Sequence, residues 1–238
     1  MSVYRHIIPA TEESFVLRPW GGRMCFLGTP KLVNCSKLTD AAICRIRHGQ
    51  CHDGHTHGDC DEIICVLSGT GCHSFWDSHN NEFSLTIHPG DVLYIAKNRL
   101  HRTLNLSTSN DLELLIINYR TDAQSDPTVS GMIPYDTAQE LVKPYGSMIN
   151  VIQEETCGNT SIKGDFITIQ SGKDFYSEIV INEELLFLID GQTLISYSTN
   201  EAGRDFNTNN LGFFHKGEEY RIKNNSKSPA KLFRLRTL

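Results

Sequence analysis

A chain of 238 residues with a formal net charge of −6 is long enough for one large or two small domains and can bury a substantial core. Its basic residues are scattered, so neither nucleic acid nor an anionic membrane is an expected partner. No window approaches the ~20 apolar residues of a membrane helix, and the first nine residues lack the apolar run of a signal peptide, which points to a cytoplasmic protein. The eight cysteines lack the pattern of a small disulfide scaffold, and Cys44 and Cys65, set among Ile and Val, read as core residues.

Along the chain, short apolar runs recur at Ala41–Ile46, Ile63–Leu67, Val92–Ala96, Leu112–Asn118, Phe166–Gln170, Leu185–Ile189 and Leu232–Leu235, separated by Gly, Asn, Asp and Ser clusters. Such spacing predicts an all-β chain of sandwich or barrel type. Between Thr121 and Asn150 the pattern changes, and Pro127, Pro134 and Pro144 flank one candidate helix, Tyr135–Val142. The expected organisation is a first domain at 1–120, a connector at 121–150 and a second domain at 151–238.

The densest chemistry lies at Gly49–Glu62. His55 and His57 are two residues apart, so in an extended strand they leave the same face. Glu62 opens an apolar strand, and His101 follows on a later one. Three imidazoles and a carboxylate suit Fe, Mn, Ni, Co, Cu or Zn, with coordination positions left open. Cys51 and Cys60 bracket the cluster, and a structural zinc site of Cys51, His52, His57 and Cys60 is an alternative, although it leaves Glu62 and His101 unexplained. His52, three residues after Gly49, is placed to project over the open positions as an acid, base or substrate clamp. Arg45 and Arg47 alternate with Cys44 and Ile46, which puts both guanidinium groups on one face where a carboxylate substrate can pair with them. His73, His79 and His88 have no spacing partner and are expected on the surface; Phe75 and Trp76 are expected in the core.

An internal repeat accompanies the cluster. Glu62 leads through an apolar strand to Gly69, and Glu184 leads in the same way to Gly191; Asn98–Asn105 is echoed by Gly217–Asn224. The chain resembles the cupin superfamily, and specifically a bicupin. The first cupin motif, G-x5-H-x-H-x3/4-E-x6-G, is matched by Gly49, His55, His57, Glu62 and Gly69. The second, G-x5-P-x-G-x2-H-x3-N, is matched by Gly90, His101 and Asn105, with Ala96 and Asn98 where proline and glycine are usual. The resemblance implies two tandem jelly-roll barrels and a metal held by His55, His57, Glu62 and His101, with Glu62 able to double as a proton shuttle.

The second half departs at the ligands. Ser177 and Ile179 stand where His55 and His57 do, and Tyr220 stands in place of His101. One divalent transition metal per chain is therefore expected, Fe(II) first, with Mn, Ni, Co or Zn as alternatives. This argues against the two-metal bicupin pattern of the oxalate decarboxylases. Tyr220 is placed to hydrogen-bond Glu184 and satisfy a carboxylate that has no ion. The ligand set does not decide between a dioxygenase acting on a small oxygen-rich molecule, the reading favoured here, and a redox-neutral isomerase or lyase; a non-catalytic metal-dependent binding protein is the second alternative. A homodimer with a small-molecule substrate completes the expectation.

Overall fold

The apolar runs are nearly continuous because the strands that carry them are buried on both faces. In the strand Asp61–Ser68, Ile63 and Cys65 face one core while Ile64 and Val66 face another. The structure is a computed structural model that describes residues 7–77, 79–120, 131–133, 138–197 and 202–238. Helix among the described residues is confined to Pro30–Val33, Glu154–Cys157 and a short 3-10 turn at Glu12–Ser14. No helix there is long and apolar enough to cross a membrane.

The strands form a seven-stranded and a four-stranded sheet in each half. From edge to edge the first large sheet runs Gly131–Ile133, Val92–Ile95, Asp61–Ser68, Leu112–Tyr119, Leu38–Ile46, Arg23–Gly28, Val16–Leu17. Its small companion runs Cys51–His55, His101–Asn105, Gly71–Trp76, Glu82–Ile87. The second large sheet runs Ile7–Pro9, Asn210–His215, Glu183–Asp190, Ala230–Thr237, Ile162–Ile169, Gly146–Ile152, Glu140–Lys143, and its companion Asp174–Tyr176, Arg221–Lys223, Gln192–Ser196, Arg204–Asn207. Every pairing is antiparallel, as jelly-roll sheets require.

Three cores follow from strand parity. Ala42, Cys44, Ile64, Leu114 and Ile116 fill the interior of the first half, and Ile167, Leu186, Phe214 and Leu232 that of the second. The third cluster is shared: Leu27, Ile43, Cys65 and Leu115 pack with Phe166, Phe187, Phe213 and Phe233. The repeat is visible in detail. Asn105 donates its side-chain amide to Ile46 O and Asn110 O and accepts from Ser107 N, while Asn224 donates to Ile169 O and Ser228 O and accepts from Ser226 N. Gly69 (φ 85) and Gly191 (φ 109) make matching turns, where a Cβ would stand 2.7 Å from Asp111 O and 2.9 Å from Ala230 Cβ.

Two expectations are corrected, both at sheet edges. The helix over Tyr135–Val142 is not formed where it is described, because Glu140–Lys143 is an edge strand paired Leu141 to Met148; Tyr135 lies outside the described residues. Pro144 clashes with a helical conformation at Lys143, and hairpin pairing supplies the amide partners instead. The expected partition also shifts. Ile7–Pro9 joins the second sheet through Ile7 and Gly212, and residues 140–150, expected as connector, lie in strands of the same sheet. Among the described residues of the connector, Gly131–Ile133 pairs with the first half. Edge strands are recruited to cover exposed backbone amides, and nothing in their local sequence encodes which sheet they cap.

Phe233 lies fully buried in the shared cluster with its ring 5.4 Å from that of Phe166. Phe233→Ala is expected to cost about 3–5 kcal/mol in urea unfolding. Both tryptophans, Trp20 and Trp76, are in the first half, so their fluorescence midpoint should fall as well; an unmoved midpoint would show that the halves unfold independently.

Candidate metal centre

His55 ends the strand Cys51–His55 and His101 opens the strand His101–Asn105, and the two are cross-strand partners. Their rings stand 4.4 Å apart. Glu62 shares the inward face of its strand with Ile64 and Val66, and His57 arrives from the loop before that strand. The backbone holds this loop in place: Asn98 N–H donates to His57 O at 2.7 Å, from a turn in which Asn98 takes φ 65. Asparagine is one of the few residues that tolerates this left-handed conformation.

One ligand atom from each of His55, His57, Glu62 and His101 lies within 4.8 Å of the others. Ligands ~2.0–2.3 Å from one ion stand no more than about 4.6 Å apart, so the cluster is nearly at coordination spacing. Tautomers agree with that reading. Nδ1 of His55 is 2.8 Å from Asp53 O and Nδ1 of His101 is 2.9 Å from Arg99 O. A carbonyl only accepts, so each Nδ1 carries the proton and each Nε2 keeps its lone pair for an ion.

The orphaned atoms test the fit. Nε2 of His57, Nε2 of His101 and Oε2 of Glu62 are buried without a hydrogen-bond partner among the described residues, although His101 Nε2 is 2.8 Å from Glu62 Oε2. They approach one another without the alignment of a hydrogen bond. A cation placed among them satisfies all three at once, whereas leaving them unmet costs ~1–3 kcal/mol each. The charge balance favours the same occupant. Burial alone would raise Glu62, but His101 first and then His57 carry it well below the usual carboxylate range. Burial, followed by His101, lowers His55 and keeps it neutral; on His101 burial works against charge and Glu62 overrides it, raising the pKa. The donor set fits a divalent transition metal.

His52 reaches the same space through a β-bulge. The register shifts so that His101 faces His55 while Thr103 faces His52, and the extra residue turns His52 onto the ligand face despite its odd spacing from His55. Its ring is 4.6 Å from that of His55 and 4.5 Å from Trp20, and burial, followed by His55, lowers its pKa to about 4. Trp20, which the sequence did not single out, walls the site from the segment before the strand Arg23–Gly28.

Three other readings change. Arg45 leaves its strand on the face opposite Glu62 and is held by Glu113 at 2.5 Å and Glu12 at 2.6 Å, with its guanidinium 3.8 Å from the Phe15 ring. Arg47 is exposed in the turn that follows. Neither is brought to the metal ligands, because odd-numbered positions of this strand face outward from the first-half core. Cys51 and Cys60 stand outside the converging group; Cys51 Sγ bonds His52 O, and burial pushes the Cys60 thiol up to about 12, far from the thiolate a zinc site uses. His73 is fully buried and stacked on His101, not at the surface, whereas His79 and His88 are exposed.

Among the described residues of the second half, the corresponding space holds no such set. Tyr220 O–H donates to Glu184, as its position suggested, and Ser177 pairs with Tyr220 through both backbone and hydroxyl. Arg234 stands 3.8 Å from Glu184 and donates to Asp165 at 2.8 Å. In the first half the positions of Arg234 and Asp165 are occupied by Ile116 and Ala42, which share the same register. Burial lifts Glu184 against the pull of Arg234, the opposite of Glu62.

Residues 19–135 match the family model described as Cupin. No curated protein matches the chain. Among solved structures, the oxalate decarboxylase of Lactobacillus farciminis in a formate complex is 13% identical, with 99% of this chain and 87% of that chain covered and a TM-score of 0.80. The oxalate decarboxylase of Bacillus subtilis solved at pH 4.6 is 12% identical, covering 99% and 77%, with a TM-score of 0.77. A further Bacillus subtilis oxalate decarboxylase structure, concerned with its Mn(II) centres, is 11% identical, covering 99% and 78%, with a TM-score of 0.78. At these identities the likeness is one of fold.

Elemental analysis should find one ion per chain, and His57→Ala should lose most of it with an unchanged far-UV circular dichroism spectrum, since the apolar cores and not the ion carry the fold. Two ions per chain, or one retained near Glu184, would refute the assignment. For the metal-free protein, His52 and His73 are lowered from 6.5 to about 4 and about 3. Between those values and 6.5 the unfolded chain binds protons that the folded one refuses, so stability is lost as pH falls through that window. His101, raised, works in the other direction but remains a single group. A melting temperature that stays level from pH 7 to pH 4 would contradict this balance.

Proposed function

We propose that the cupin domain at residues 19–135 makes this chain a metal-dependent enzyme that carries out redox-neutral chemistry of lyase type on a small carboxylate-bearing molecule. The observation that carries the metal part is the convergence of His55, His57, Glu62 and His101 with three buried ligand atoms unpartnered. The lyase part is supported by the solved structures of the same fold, which are oxalate decarboxylases, one of them described by its Mn(II) centres. Mn(II) thereby replaces Fe(II) as the first choice, and the oxygenase, which the ligand set by itself does not separate from a lyase, gains no support from those relatives. We read the second half as a second cupin barrel whose ligand set has been lost.

A divalent ion bound by the four ligands would supply Lewis-acid polarisation of a carboxylate or carbonyl oxygen. The chain's own residues do the rest. Glu62, ionised and buried, would offset part of the ion's charge. The Nδ1 protons of His55 and His101, anchored on Asp53 O and Arg99 O, fix both rings. His52, neutral at pH 7 and next to His55, is placed to take or return a proton at Nε2 or Nδ1. Trp20 packs against that ring and limits water on its outer side.

The discriminating experiment is oxygen uptake alongside carbon dioxide release, with Mn(II)-loaded protein and a panel of small mono- and dicarboxylates, diketones and catechols. Carbon dioxide release without oxygen consumption supports the proposal; stoichiometric oxygen uptake assigns the oxygenase reading, and ligand binding without turnover assigns a binding protein. With an active substrate, His52→Ala should retain metal and lower kcat by roughly 10²–10⁴-fold, the usual cost of one acid–base group. His52→Gln keeps hydrogen bonding and loses proton transfer. Full activity in both variants would remove His52 from the mechanism.

A further inference from the structure

His73 is fully buried, its ring stacks on that of His101 at 5.7 Å and 23°, and its Nδ1 lies 2.9 Å from Thr103 Oγ1. Its Nε2 is buried and has no hydrogen-bond partner among the described residues. A buried imidazole nitrogen left unmet is costly, so something must meet it. Packing alone does not call for a histidine here. Asn105 and Asn224 are equivalent, and counting two positions back from each equates Thr103 with Ile222; the cross-strand partners are then His73 and Ile195. The half without a ligand set fills the same buried pair with two isoleucines, both fully enclosed. The polar pair occurs only where the metal ligands occur.

We propose that His73 is a ligand-binding residue of the metal centre: Nε2 hydrogen-bonds the small anion that enters the open coordination positions, while Thr103 holds the ring in place from Nδ1. With Thr103 O–H donating to Nδ1, Nε2 carries the proton and faces an acceptor atom of that anion, an oxyanion oxygen or an equivalent. The proposal rests on the reading that the ion keeps positions open to a small molecule, and it is independent of which reaction follows.

The test uses the full chain loaded with Co(II), whose visible spectrum reports ligand exchange, and azide as the probe anion. His73→Phe keeps the ring stacked on His101 and removes both nitrogens. Co(II) content and affinity should match wild type, and azide binding should weaken by about three- to tenfold, the range of one neutral hydrogen bond. His73→Gln, which retains an amide donor, should stay within about twofold of wild type and serves equally if the phenylalanine variant fails to fold, since removal of that donor by His73→Met then becomes the comparison. Unchanged azide affinity in the variant lacking nitrogen, or no azide binding by the wild type, overturns the proposal. Absence of carbon dioxide release with the azide effect intact sinks the lyase reading alone.

Discussion

A carboxylate that is nearly inaccessible to solvent must be met by positive charge or by hydrogen bonds, and the whole first half is arranged around that demand at Glu62. Glu62 is 2% exposed, with His101 Nε2 at 2.8 Å and His57 Nε2 at 3.7 Å from its carboxylate oxygens. The Nε2 of His101, whose ring proton sits on the far side at Nδ1 against Arg99 O, presents a lone pair to the carboxylate. Lone pairs facing a carboxylate are stable only around a cation. The turn at Asn98, the bulge that re-aims His52 and the pairing of His55 with His101 all serve to hold that arrangement.

The second half meets the same demand by other means. Glu184 lies on the inward face of its strand as Glu62 does, and it accepts from the Tyr220 hydroxyl. Arg234 then brings a fixed positive charge into the core, and Asp165 balances it from the neighbouring strand at 2.8 Å. An alanine and an isoleucine of the first half have become an aspartate and an arginine. A guanidinium attached to the chain cannot leave or expose a vacant coordination position, so here the charge balance around the buried carboxylate is met by side chains alone.

The halves are not independent shells. Asp61, next to Glu62, faces the shared core; its carboxylate accepts from the Tyr94 hydroxyl at 2.5 Å, from Asn159 at 3.2 Å and from Lys97 N at 2.8 Å. Asn159 belongs to the second half. Glu183, next to Glu184, accepts from Ser36 N, Ser36 Oγ and Lys37 N of the first half. Each inward acid thus has an outward acidic neighbour that bonds across the boundary, so the alternation of a strand couples the interior of one half to the surface of the other.

The sequence by itself determined the all-β class, the repeat, the four side chains that converge and the pairing of Tyr220 with Glu184. Residues two apart share a strand face, a repeated strand-and-turn pattern marks equivalent strands, and the resemblance to the cupin motifs joins His101 to the other three ligands. Only the tertiary structure decided the rest. His52 turns inward because a bulge breaks the period of two, Arg45 turns outward because strand parity is set by which face the partner sheet buries, and His73 enters the interior because it lies across from Thr103, with its ring stacked on that of His101 two residues along. Ile7–Pro9 caps the far sheet by pairing with residues more than two hundred positions away, and no local pattern encodes such a partner. Arg234, set between Phe233 and Leu235 in its strand, takes its meaning from Glu184 and Asp165, which only folding brings to it.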